Sequence, residues 1–209
     1  MDAAKRAAYA LTLAAFALTW IAPAWPVEQA LHSSLTVVAL AGLWWLDRRW
    51  PLQPGHFAAV CAFLVVHCIA ARWLYSNVPY DTWVQSATGW SLQQAMGWER
   101  NHFDRLVHLL FGLCFAAPLR EHLRLRWPRL SPRQAFVLCM GTIMCVSLVY
   151  EWLEWAIALS LDPAAAEAYN GQQGDMWDAH MDMLLATLGS LVAWPWRRAA
   201  VLQPATSAV

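Results

Sequence analysis

The sequence predicts an all-α membrane bundle of six transmembrane helices with both termini in the cytoplasm. Three observations lead there. Of 209 residues, 59% are hydrophobic and 13% charged, against about 25% charged in an ordinary soluble domain. Six apolar runs are each about as long as a membrane crossing requires. The lysines and arginines also fall on one side of the membrane if the six runs alternate in direction.

The runs are roughly 7–24, 28–46, 55–75, 102–119, 133–160 and 178–196. Pro26, Pro51, Pro54, Pro128 and Pro132 punctuate the connections, where a missing N–H is least disruptive. The first run follows Lys5 and Arg6 and ends near Ala22-Pro23-Ala24, a pattern shared with cleaved signal peptides. A retained helix is favoured because it completes an even, charge-consistent topology. Residues 1–200 then form one transmembrane domain and 201–209 a short cytoplasmic tail.

Orientation rests on charge. Lys5 and Arg6 precede the first run, Arg48 and Arg49 follow the second, and Arg120, Arg124, Arg126, Arg129 and Arg133 lie between the fourth and fifth. Arg197 and Arg198 follow the sixth. The opposite side holds Glu28, Asp81, Glu99, Asp162, Glu167 and Asp175, with Arg72 and Arg100 as the exceptions. Many of the 15 tryptophans, Trp20, Trp25, Trp44, Trp73 and Trp194 among them, lie at run ends, as an interfacial aromatic belt requires. The five cysteines sit inside apolar runs without a CxxC pair and read as small buried hydrophobes. Zero formal net charge points to no nucleic-acid partner; the expected surroundings are the lipid bilayer.

Two outward loops are long. In the first, Ser76 to Asn101, residues 86–97 are expected to form one short helix on the membrane surface. The second, Leu161 to Trp177, contains Gly171 and Gly174 and is a candidate functional loop.

Ionisable residues enter three of the runs. Asp104 and His108 are four apart, as are Asp178 and Asp182, and Glu151 and Glu154 are three apart. Each pair therefore shares a helix face. With a rise of 1.5 Å per residue, His108 and Asp182 lie roughly 18–23 Å, and Asp104, Glu151 and Asp178 roughly 24–29 Å, above the arginine-rich interface. All fall in the outer third of a hydrocarbon core about 30 Å thick, where charge is costly and faces a bundle interior or a watery cavity. Asp104 and Asp178, near helix starts, also suit the helix dipole. Glu151 and Glu154 oppose it, and need protons, Arg105 or a metal. Lone His67 reads as a hydrogen-bonded packing residue, and His180 as a surface one.

Carboxylates with one imidazole suit Mg, Mn or Zn. Asp104, His108, Glu151 and Asp182 are the candidate ligands of such a divalent metal. Asp104, His108, Glu151, Glu154, Asp178 and Asp182 are the candidate catalytic set, with Arg105 and Asp175 as substrate contacts. The expected function is metal-assisted hydrolysis or transfer on a lipid or lipid-linked substrate at the outer leaflet. The alternatives are a proton- or ion-coupled transporter and a non-catalytic accessory protein. A through-path is disfavoured because the cytoplasmic halves of the last three runs offer only Thr142, Ser147, Thr187 and Ser190.

The stretch Tyr75 to Pro79, then Arg100-Asn101-His102-Phe103-Asp104-Arg105 with His108, Glu151 with Glu154-Trp155, and Gly171-Gln172-Gln173-Gly174-Asp175-Met176-Trp177-Asp178 with Asp182-Met183 together resemble the YjdF family of bacterial inner-membrane proteins. The resemblance spans roughly residues 10–196. It implies a multi-pass protein of the bacterial inner membrane and supplies no established activity. A more distant similarity to VanZ-like membrane proteins lies in the Asp104/His108 helix and the later Asp182 with Gly189.

Overall fold

The computed structural model describes residues 1–194. Arg197, Arg198, the end of the sixth run and the 201–209 tail lie outside the described residues. Nine helices, and no strand, occur among the described residues: α1 Ala3–Thr19, α2 Pro26–Arg49, α3 Pro54–Arg72, α4 Tyr80–Thr88, α5 Leu92–Met96, α6 Phe103–Arg126, α7 Pro132–Ala158, α8 Pro163–Asn170 and α9 Asp178–Ala193.

Local chemistry sets most of the boundaries. Proline occupies the first turn of α2, α3, α7 and α8, where its fixed φ favours the helix and no N–H is lost. Ser131 and Gln134 form a reciprocal capping box at the start of α7. The first apolar run stops sooner than its composition suggests. α1 ends at Thr19, and Arg72 from α3 donates to the carbonyls of Thr19 and Ile21 at 2.6 and 2.9 Å. A cation there satisfies carbonyls that the helix end leaves open.

α2, α3, α6 and α7 are long and apolar enough to cross a membrane. Their surfaces match that environment. Val38 and Leu11 are exposed, whereas Gln29, Thr36, Ser147 and Ser190 are buried, the reverse of a water-soluble arrangement. α3 packs against α1, α2 and α6; α6 pairs most extensively with α9; and α7 packs on α6, α8 and α9. Lys5 is buried against Asp47 at 2.7 Å, tying α1 to α2 near their cytoplasm-predicted ends.

The long loops differ from the sequence reading in one respect. Residues 86–97 do not form a single helix. Gly89, at φ 79°, ends α4 in a left-handed cap, a conformation glycine adopts without steric cost. α5 then starts from Ser91. Asp81 of α4 accepts from the Ser91 hydroxyl at 2.8 Å and the Gln93 N–H at 2.9 Å, folding the two short helices against each other.

Candidate functional site

The acidic residues are positioned by a close backbone approach. A Cβ at Gly112 of α6 would collide with the Ala186 carbonyl of α9, and one at Gly189 of α9 with the Leu109 carbonyl of α6. Small residues at such a crossing let two helix backbones touch. One to two turns from the crossing, α6 presents Asp104 and His108 and α9 presents Asp178 and Asp182, all buried. α7 adds Glu151 from the third side.

These residues divide into two overlapping groups. His108, Glu151 and Asp182 form one, and Asp104, Asp178 and Asp182 the other. Within each group, one ligand atom per residue lies within 4.8 Å of the others. His108 Nε2 is 3.9 Å from Glu151 Oε1 and 3.7 Å from Asp182 Oδ2, too far for good hydrogen bonds. Bond lengths of about 2.0–2.2 Å to a small divalent ion place neighbouring ligand atoms roughly 3–3.5 Å apart, so a modest contraction would close this group around one. Glu151 Oε1 and Asp182 Oδ1 are buried without a hydrogen-bond partner, an expensive arrangement unless a proton or cation completes it.

Two carboxylates of the second group, Asp104 and Asp178, already have a protein cation as partner. Arg100 pairs with Asp104, with Asp178 at 2.5 Å and with Asp175 at 3.2 Å. Arg105 pairs with Asp175. Arg100 is the residue that sequence reasoning passed over, treating it as an exception to the charge asymmetry. Its signal was its spacing, four residues ahead of Asp104 across the start of α6. Asp175 lies outside the long helices. The Trp177 N–H, then Arg105 and Arg100, hold its carboxyl below the ordinary aspartate range. Asn101 and Gln173 exchange hydrogen bonds of 2.9 and 3.0 Å. Asn101 also donates to the Val78 carbonyl at 2.8 Å. The Arg-Asn and Gln-Gln-Gly-Asp stretches are thus one pinned assembly over the site.

Glu154 joins neither group. It lies near the Tyr75, Tyr150 and Tyr169 side chains, three residues along α7 from Glu151. His67 is buried and pairs with the Tyr75 hydroxyl at 2.5 Å, a packing role as its isolation suggested. His180 is exposed.

Apolar helices wrapped around buried carboxylates, with polar loops pinned over one end, define a membrane protein. The chain belongs to the family described as "Predicted membrane protein (DUF2238)", which matches residues 4–201. It is 30% identical over 175 residues to the inner membrane protein YjdF of Escherichia coli (strain K12), covering 83% of this chain and 75% of that one. No solved structure matches. The chain is an inner-membrane protein, and the YjdF resemblance drawn from its motifs holds; neither match is to a VanZ-like protein.

Proposed function

We propose that this protein is a metal-assisted hydrolase or transferase acting on a lipid or lipid-linked phosphate, with a Mg, Mn or Zn ion held by His108, Glu151 and Asp182. The observation that carries this reading is the convergence of those three side chains from three helices, with two carboxylate oxygens buried and unpartnered. When bound, such an ion polarises a phosphoryl oxygen or activates water. The chain's own groups have complementary tasks. Arg100 supplies a fixed positive charge beside the ion position, and Asp104 and Asp178 orient it. Arg105, whose buried Nε has no partner, offers a contact for an anionic oxygen.

The same reading takes α1 and α9 as crossings, giving six in all with both termini cytoplasmic. Their 17 and 16 residues span about 25 Å, somewhat short of the core thickness. Packing of α1 on α3 and of α9 between α6 and α7 supports this, as does the arginine distribution.

Elemental analysis of the detergent-purified protein tests the proposal. Near-stoichiometric divalent metal is expected, lost in Asp182→Asn and His108→Ala and kept in His67→Ala. Chelation should lower the melting temperature of the wild type, since an ion that binds only the folded state stabilises it. Absence of metal, together with no melting shift on ion addition near neutral pH, would overturn the metal assignment.

A further inference from the structure

A half-enclosed chamber of about 270 Å³ lies among α2, α3, α6 and α7. Its walls change character along its length. Toward the loops they carry His67, Tyr75, His108 and Tyr150. Toward the opposite face they carry Phe63, Leu64, Phe111 and Phe115. His108 is shared with the candidate metal group, so the polar end of the chamber abuts that site. An apolar cavity of even about 150 Å³ stays dry and takes up apolar molecules.

Two further features select the occupant. Thr36 of α2 and Ser147 of α7 line the chamber, are 1% exposed, and have hydroxyl oxygens with no hydrogen-bond partner. Both residues normally satisfy themselves on the preceding helical turn; here neither hydroxyl does, and both side chains lie in the chamber wall. Second, Leu35, Val146 and Tyr150 line both this chamber and an apolar groove along the outer surface of α7. α2 packs mainly on α3, and α7 on α6, α8 and α9. The line between α2 and α7 is therefore a side opening toward lipid.

We propose that this chamber binds one acyl chain of a membrane glycerophospholipid, entering sideways between α2 and α7. The hydrocarbon lies against Phe63, Phe111 and Phe115. A χ1 rotation of Thr36 or Ser147 turns its unpartnered hydroxyl to the ester carbonyl, a contact that a chain without a carbonyl cannot make. The phosphate end reaches His108. This deepens the proposed function by naming its substrate class, and only the placement of the head group rests on that reading.

The test uses the full-length protein in phospholipid bilayers containing a phosphatidylglycerol with a photoreactive diazirine near the end of one acyl chain, followed by peptide mapping. Labelling is expected on the chamber-facing residues of α3 and α6, in addition to the outer lipid-facing surfaces. Ser147→Phe, or Ala39→Phe from the α2 side, should cut chamber labelling about tenfold, equivalent to ~1.4 kcal/mol in binding, and leave outer-surface labelling unchanged. Asp182→Asn should lose metal yet keep chamber labelling, which separates failure of the metal reading from failure of this one. Wild-type labelling confined to the outer surfaces would overturn the proposal even if both filling variants fail to fold. So would chamber labelling by a diazirine-bearing polyprenyl phosphate but not by the acyl probe.

Discussion

Gly112 of α6 lies so close to the Ala186 carbonyl of α9 that no side chain fits between them. This contact, with its counterpart between Gly189 and Leu109, sets the rotation of the two helices and brings His108 and Asp182 to 3.7 Å. Gly112→Leu or Gly189→Leu should force the backbones apart. A loss of about 1–3 kcal/mol or more is expected from such overpacking, read as a lower melting temperature in detergent. Unchanged stability in both variants would mean that α6 and α9 do not cross here.

Arg100 holds three carboxylates from two distant parts of the chain, Asp104 on one side and Asp175 with Asp178 on the other. Breaking a buried ion pair by removing one partner costs about 3–5 kcal/mol, because the remaining charge is left uncompensated. Arg100→Ala should therefore be strongly destabilising. Adding Asp104→Asn and Asp178→Asn should restore part of the loss, since fewer unpaired charges remain. A triple variant no more stable than Arg100→Ala would argue against this network.

Asp175 gives a pH signature. Its carboxyl is held low by the Trp177 N–H and by Arg105 and Arg100, with His102 and Asp178 as nearby titratable groups. A depressed folded-state pKa stabilises the fold above the unfolded value of about 3.9 and loses that contribution as pH falls through the folded value. Wild type should melt above Asp175→Asn at neutral pH. The gap should close on acidification below the ordinary aspartate range. A gap independent of pH across that window would assign the difference to packing rather than charge.

Topology is open to a direct check. Reporter domains fused after Trp90 should read as periplasmic, and fusions after Arg126 as cytoplasmic. The motive is the clustering of Arg120, Arg124, Arg126, Arg129 and Arg133 around one connection. The reverse pattern at either position would invert the bundle and move the acidic site to the cytoplasmic face.

The membrane class, the family and the positions of the long helices were legible in the sequence, because apolar run length and proline placement are local properties, although α6 continues to Arg126, past the end of its apolar run at 119. The pairing of residues on each helix was legible too. A spacing of four puts Asp104 beside His108, and Asp178 beside Asp182, whatever the helices around them do. Tertiary structure alone decided how those pairs were shared out. Arg100 meets Asp175 and Asp178 across more than seventy positions of sequence. No local pattern reports such a contact, so the acidic set read as a single cluster. Glu151 turns toward His108 while Glu154 lies among tyrosines, because three residues along a helix advance about 300° rather than a full turn, and packing determines which side each meets. The chamber between α2 and α7 was equally hidden. An interhelical space depends on how rigid helices of fixed shape cross one another, and those crossings are set by small-residue contacts such as Gly112 on Ala186 rather than by the composition of any one helix.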